Sequence, residues 1–182
     1  MTSPNPDPNG SALNLVLTGF MGTGKSTIGR MIAARLNRPF VDMDVEIERR
    51  AGQSIPEIFA TRGEEAFRQM ERDLCRELAG QRGLVIATGG GALVDPINRE
   101  RMIASGIVIC LQASPEALLA RLRAEASTRP LLHSDDPAAR IRELLAARAE
   151  AYDALPYHID TTDLSPEDVM EAVLTLWYRQ FT

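Results

Sequence analysis

Residues 19–26, with the sequence GFMGTGKS, have the types and spacing of a phosphate-binding loop. They fit the pattern G-x-x-x-x-G-K-S, and they lie between a short apolar run and a helix-favouring stretch from Lys25 to Leu36. The glycines let backbone N–H groups turn towards phosphate oxygens, and the helix that follows adds the positive end of its dipole. The pattern predicts a nucleoside triphosphate site. The alternative is a glycine turn that only caps a helix.

The lysine of this loop supports the phosphate interpretation. Lys25 is the only lysine among the 20 lysine and arginine residues of the chain. The broad planar fork of arginine cannot replace a compact ammonium inside a tight loop. In such a loop Lys25 reaches the β- and γ-phosphates, and Ser26 ligates Mg²⁺. We therefore expect a nucleoside triphosphate to be bound by six consecutive residues, Gly22, Thr23, Gly24, Lys25, Ser26 and Thr27.

Two further segments follow predicted strands and have residues suited to ligand binding. Asp42 and Asp44 end the second strand, where a spacing of two puts both carboxylates on one side of an extended chain. They could face the phosphates, or they could cap the next helix. Three consecutive glycines, at positions 89–91, follow the third strand, which suits a close approach of backbone to ligand or a plain flexible turn.

Two arginines are candidates for binding an anion. Arg148 shares the inward face of its helix with Ile141 and Tyr152, and a charge on that face needs a partner carboxylate or a bound anion. Arg68 flanks an apolar stripe, and it could simply pair with Glu64 one turn earlier.

A long connection covers residues of about 124–136. Connections of this length in compact domains are often lids, and Arg129, held extended by the next proline, could bring its charge onto a transferring phosphate. The alternative is a solvated surface loop.

The remaining pattern supplies the framework that must position these residues. Short apolar segments alternate with amphipathic helical ones, which predicts an α/β fold with a parallel sheet covered by helices on both faces. Ligands of such sheets bind at the carboxyl ends of the strands, where the residues above fall. The five predicted strands lie at residues 13–18, 40–43, 84–88, 107–111 and 157–160.

Size and charge limit the remaining possibilities. The 182 residues suit one domain, which we expect at residues 12–182. The proline-rich residues 1–11 are predicted to form a disordered tail. A net charge of −5 argues against nucleic acid and anionic membranes as partners, and the apolar runs are too short to span a bilayer. We expect a cytoplasmic monomer that acts on small molecules.

Taken in order, six motifs resemble the shikimate kinase family, over the chain from Leu13 to the C-terminal helix. The resemblance implies a three-layer P-loop NTPase fold with a five-stranded parallel sheet of order 2-3-1-4-5 and a lid loop. It also implies transfer of the γ-phosphate of ATP to the 3-hydroxyl of shikimate. The motifs are GFMGTGKST, VDMD, FR at residues 67–68, TGGGA, RPLL at residues 129–132 and RAEAY at residues 148–152.

By matching motif positions, the resemblance implies how the acceptor is held. Arg68 and Arg148 would bind the shikimate carboxylate, and Gly90 and Gly91 would line its site. Asp44 would hold the ring hydroxyls and is the candidate base.

The resemblance likewise implies roles around the phosphates. Asp42 would join Ser26 around Mg²⁺ through water, Arg129 would meet the γ-phosphate, and Lys25 would stabilise charge on it during transfer. The family often has an Arg-Thr pair before the lid where this chain has residues 121–123, RLR, so contacts to the nucleotide base stay unassigned. The alternatives are another small-acceptor kinase of this fold, such as a gluconate kinase, or a noncatalytic nucleotide-sensing module.

Overall fold

The computed structural model describes residues 12–124 and 136–181. Within them, five strands form one parallel sheet of order β2-β3-β1-β4-β5, as the family resemblance implies. The strands are β1 (Asn14–Gly19), β2 (Phe40–Asp42), β3 (Val85–Ala87), β4 (Gly106–Gln112) and β5 (Tyr157–Asp160). Residues 1–11, the predicted tail, lie outside the described part of the chain.

Helices connect the strands, and several of them begin at residues whose side chains cap the first turn. Ser54 starts one helix with the Glu57 carboxylate 2.7 Å from its backbone nitrogen, and the Ser165 hydroxyl accepts from the backbone nitrogen of Asp168 at 3.1 Å. The helices are α1 (Lys25–Leu36), α2 (Met43–Ala51), α3 (Ile55–Ala79), α4 (Pro96–Ser105), α5 (Pro115–Ala124), α6 (Pro137–Asp153) and α7 (Pro166–Arg179). A short 3₁₀ turn, Ala92–Val94, precedes α4.

Successive strand residues point to opposite faces of the sheet, so each face has its own apolar core. On one face α1 and α7 pack against Leu15 and Ile109, with Trp177 fully buried among them. On the other face α2, α3 and α4 pack against Val16 and Ile86. The helices on both faces confirm the predicted three-layer arrangement.

A third, smaller cluster lies beside the phosphate-binding loop. Phe20 packs there with Leu118 and Leu122 of α5 and Ile141 of α6. All the strands are parallel, so their carboxyl ends meet at one edge of the sheet. The phosphate-binding loop, Asp42 and the glycine loop (residues 89–91) all lie at this edge. No helix in the described ranges is long and apolar enough to cross a membrane.

Candidate active site

The phosphate-binding loop joins β1 to α1, as its spacing predicts. Gly22 and Gly24 have φ of 81° and 92°, a region that glycine adopts without the strain other residues incur. The Lys25 ammonium donates to the carbonyl of Phe20 at 2.9 Å, and the Thr23 hydroxyl donates to the same carbonyl at 2.8 Å. The loop is thus folded back on itself ahead of the N-terminus of α1. Thr27, in the first turn of α1, is exposed.

Asp42 lies at the end of β2, beside the first turn of α1. Its Oδ2 accepts a hydrogen bond of 2.5 Å from the hydroxyl of Ser26, while its Oδ1 accepts from the backbone nitrogens of Asp44 and Val45 at 3.1 and 3.4 Å. Asp42 therefore caps α2 and also lies against the phosphate-binding loop, so the two interpretations of this residue are compatible. A hydroxyl and a carboxylate are hard oxygen donors of the kind that Mg²⁺ takes beside phosphate oxygens and water.

The described residues contain no cluster of three or more histidine, cysteine or acidic side chains that could hold a metal ion by themselves. A divalent cation bound here would therefore need oxygen atoms of the nucleotide as well. This is the usual arrangement for Mg²⁺ in enzymes that bind nucleoside triphosphates.

The glycine loop, residues 89–91, is held directly beside the phosphate-binding loop. Thr88 at its start donates to the Thr18 hydroxyl of β1 at 2.9 Å, and both hydroxyls are buried. A Cβ placed on Gly90 would lie 3.4 Å from the carbonyl oxygen of Gly19 and 3.6 Å from the backbone nitrogen of Met21. The two loops thus form adjacent walls of one site.

Charged side chains from three helices converge on the glycine loop. A Cβ on Gly89 would lie 2.7 Å from Oδ1 of Asp44, one on Gly90 would lie 3.2 Å from Nη1 of Arg148, and one on Gly91 would lie 2.7 Å from Nη1 of Arg68. The structure therefore brings together the three charged residues assigned to the acceptor. Any side chain on these glycines would intrude on that cluster.

Arg148 has the environment of an anion-binding residue. Its Nη1 is buried and has no hydrogen-bond partner among residues 12–124 and 136–181. The guanidinium carbon lies 5.2 Å from the centre of the Phe20 ring, and one turn along α6 the Tyr152 hydroxyl donates to the carbonyl of Gly90 at 2.6 Å. Burial raises the pKa of Tyr152, which keeps the phenol in its donating form. A buried cationic nitrogen without an acceptor is costly unless a ligand supplies one.

Arg68 is paired within the protein. Its Nη1 lies 2.6 Å from the Glu71 carboxylate and its Nη2 lies 3.1 Å from that of Glu64. The ion pair with Glu64, which was the alternative interpretation of Arg68, is therefore present. Arg68 also borders Gly91. Two ion pairs of this kind fix the guanidinium in place beside the glycine loop.

Glu71 is a site residue that the sequence reasoning missed. It is 2% exposed, and its Oε1 would lie 2.9 Å from a Cβ on Gly89. Its pKa is raised, chiefly by burial and further by the charge of Asp44, while Arg68 opposes the shift. Its position three residues after Arg68 on a helix was the available signal, because side chains at that spacing meet.

The predicted lid at about residues 124–136, with Arg129 on the transferring phosphate, stays a prediction. Residues 125–135, which include Arg129, lie outside the described part of the chain. The described residues supply a phosphate-binding loop, a serine–aspartate pair, and a group of two carboxylates and two guanidinium groups around the glycine loop.

Comparisons with known proteins agree with this geometry. The family model described as shikimate kinase matches residues 21–177. A shikimate kinase of Thermus thermophilus is 46% identical over 165 residues, which is 91% of this chain and 90% of the relative. A shikimate kinase of Geobacter sulfurreducens is 46% identical over 162 residues, 89% of each chain.

Similar solved structures include a member of the same family and a more distant protein that has the same fold. A shikimate kinase from Acinetobacter baumannii in complex with shikimate has a TM-score of 0.87 and 38% identity, over 96% of this chain and 98% of that one. A gluconokinase from Sinorhizobium meliloti has a TM-score of 0.59 and 16% identity, over 93% of each chain, and shares the fold alone.

Proposed function

The chain belongs to the shikimate kinase family, and on that basis we propose that its described residues divide the reaction between a phosphate half and an acceptor half. In this reaction a hydroxyl oxygen of shikimate, the 3-hydroxyl, bonds to the γ-phosphorus of ATP. The bond from that phosphorus to the oxygen bridging to the β-phosphate breaks, ADP leaves, and the hydroxyl proton is lost. Positioning and charge stabilisation supply most of the catalysis in such transfers.

The phosphate half consists of residues 22–27 and Asp42. Backbone N–H groups of Gly22, Thr23 and Gly24 donate to phosphate oxygens, and the Lys25 ammonium stabilises charge on the group being transferred. Mg²⁺, when bound, neutralises phosphate charge, and Ser26 and Asp42 are the residues that would hold it, Asp42 through water. Their contact of 2.5 Å places a hydroxyl and a carboxylate side by side at the phosphate-binding loop.

The acceptor half consists of Asp44, Arg68, Arg148, Gly90 and Gly91. The two guanidinium groups bind the carboxylate of shikimate, with the glycines giving it room. Asp44 orients the ring hydroxyls and accepts the proton of the attacking one. Glu71 holds Arg68 in place through its 2.6 Å ion pair.

The observation that carries this assignment is the buried Nη1 of Arg148, which has no hydrogen-bond partner within the described part of the chain. It lies against Gly90, whose other neighbour is the phosphate-binding loop, so an anion bound there is held beside the γ-phosphate. A cation at this place selects an acceptor that has a carboxylate.

A coupled assay of ADP release tests the function directly. Purified protein with ATP and Mg²⁺ is given shikimate, gluconate, AMP or no acceptor, and we expect turnover with shikimate alone. Turnover with gluconate instead, which also has a carboxylate, would keep the phosphate half and the carboxylate-binding arginines but would overturn shikimate as the acceptor. Slow turnover without any dependence on an acceptor would favour the nucleotide-sensing alternative.

A further inference from the structure

Tyr152, in the last turn of α6, joins that helix to the glycine loop. Its hydroxyl donates to the carbonyl of Gly90 at 2.6 Å, and the residue is 5% exposed. The two residues are 62 positions apart in the sequence, so the bond connects elements that lie far apart along the chain. A buried tyrosine usually finds a hydrogen-bond partner for its hydroxyl, and here the partner is the middle residue of the glycine loop.

The rest of Tyr152 is also held in place. Nε2 of His158, in β5, donates to the backbone carbonyl of Tyr152 at 2.9 Å. The Tyr152 ring packs in the apolar core on the face of the sheet that α2, α3 and α4 cover. Because its backbone and its ring are both fixed, the hydroxyl of Tyr152 can determine where Gly90 lies.

Two other buried side chains hold the ends of the glycine loop. Thr88 bonds to Thr18 of β1 before the loop, as described above. After the loop, the side-chain amide of Asn98, in α4, donates to the carbonyl of Ala92 at 3.0 Å, and Asn98 is 1% exposed. Neither of these contacts involves α6. Tyr152 therefore adds a link between α6 and the middle of the loop.

This link matters because α6 also bears Arg148, one turn before Tyr152. The two guanidinium groups at the glycine loop belong to different helices, since Arg68 lies on α3. Arg68 is fixed by its ion pairs. The buried Nη1 of Arg148 has no hydrogen-bond partner within residues 12–124 and 136–181, so its position depends on the helix that bears it. The distance between the two guanidinium groups thus depends on how α6 is held against the loop.

We propose that Tyr152 is a positioning residue for the acceptor, whose hydroxyl fixes Arg148 relative to the glycine loop so that one carboxylate meets both guanidinium groups. This inference rests on the proposed function, which gives the acceptor a carboxylate. A site that is ordered before binding loses less conformational freedom when the ligand binds. Loss of the Tyr152 hydroxyl therefore weakens use of the acceptor.

Nucleotide binding should not depend on Tyr152. The phosphate-binding loop is held by its own contacts, from the Lys25 ammonium and the Thr23 hydroxyl to the carbonyl of Phe20. These contacts do not pass through α6 or Gly90. A selective effect on the acceptor is therefore the expected signature of the positioning role.

The first test compares Tyr152→Phe with Tyr157→Phe. Both variants lose one tyrosine hydroxyl, but that of Tyr157 bonds to Oε1 of Gln180 at the surface, at 2.8 Å. Steady-state kinetics give kcat/KM for shikimate, and calorimetry gives the affinity for ADP. We expect Tyr152→Phe to lower kcat/KM for shikimate about threefold to tenfold, the scale of one hydrogen bond, with ADP affinity within about twofold of the parent. Tyr157→Phe should match the parent in both.

The second test repeats Tyr152→Phe in an Arg148→Ala background. If Tyr152 acts through Arg148, its hydroxyl has little left to position there, and the further loss of kcat/KM for shikimate should be less than about twofold. A purely structural role for Tyr152 would instead make the two losses multiply.

Four results would overturn the proposal. They are multiplied losses in the double variant, equal losses for shikimate and ADP, a parental kcat/KM in folded Tyr152→Phe, and a Tyr152→Phe variant that does not fold, which would show that the hydroxyl serves the fold. Absence of shikimate turnover in the parent protein would instead refute the proposed function, and this proposal with it.

Discussion

The Ser26 hydroxyl donates a 2.5 Å hydrogen bond to Asp42, whose other carboxylate oxygen caps helix α2. Asp42→Asn separates these two functions, because asparagine also caps helices well but carries no charge. We expect the variant to keep the stability of the parent within about 1 kcal/mol and to need a higher Mg²⁺ concentration for half-maximal activity. Activity titrated with Mg²⁺ at fixed ATP checks this, and an unchanged Mg²⁺ requirement would exclude Asp42 from the metal site.

Lys25 is placed to stabilise charge during transfer, so its loss should act on turnover. We expect Lys25→Ala to lower kcat by two or more orders of magnitude, on the scale of about 3 kcal/mol or more in activation free energy. Lys25→Arg should not restore activity, because the larger planar group does not fit the tight loop. Rapid-quench measurement of the chemical step reads this directly, and wild-type rates in either variant would contradict the assigned role.

Arg148→Ala should weaken shikimate binding. Removing one side of a desolvated charge pair typically costs about 2–5 kcal/mol, so calorimetry should show an affinity loss of at least about thirtyfold. The matched control is Arg142→Ala on the same helix, because the Arg142 side chain is 57% exposed and lies 3.6 Å from Glu116 at the surface. Unchanged shikimate affinity in folded Arg148→Ala would refute the anion-site assignment.

Gly91→Ala tests whether a side chain in the glycine loop would crowd Arg68 and so impair acceptor binding. The added Cβ would lie 2.7 Å from Nη1 of Arg68, the movable end of a side chain, so the fold should tolerate it while Arg68 shifts. We expect a higher KM for shikimate, an unchanged KM for ATP and little change in Tm. Gly80→Ala is the control, since its nearest contact would be an ordinary 3.4 Å. A parental KM for shikimate in Gly91→Ala would contradict the prediction.

Glu71 should make stability depend on pH. Burial, with a further contribution from Asp44, raises its pKa above the ordinary value of 4.5, so the folded chain holds this proton more tightly than the unfolded chain does. The stability it contributes is complete below the unfolded pKa and is lost as pH rises through the folded pKa.

The corresponding experiment is urea unfolding of the parent and Glu71→Gln across that pH range. The free energy of unfolding of the parent, relative to Glu71→Gln, should fall as pH increases from about 4.5. Glu64→Gln, which removes the exposed partner of the same arginine, controls for loss of an ion pair. A difference between parent and Glu71→Gln that stays constant with pH would contradict a raised pKa in the folded state.

The phosphate-binding loop and the sheet could be predicted because their signals are local. Glycine spacing dictates the loop, and apolar runs between caps locate the strands to within one or two residues. Met43 was placed in the second strand, but it is the first residue of α2, because Asp42 caps the helix at that point. The strand order came from the family resemblance rather than from any pattern within one strand.

The acceptor pocket was predicted in part, and its missing member, Glu71, depends on contacts distant in sequence. Arg148 was found because an inward charge on an amphipathic helix is easily recognised. Glu71 looks like one more acid on a charged helix until the fold places Asp44 and Gly89 beside it.

The position of Lys25 gives this protein an unusually simple chemical handle. Its ammonium lies inside the phosphate-binding loop, 2.9 Å from the Phe20 carbonyl, and no other lysine exists in the chain. A protease specific for lysine therefore has one cleavage site, between Lys25 and Ser26. Protection against this cleavage reports occupancy of the nucleotide site as the loss of a single pair of fragments, without peptide mapping.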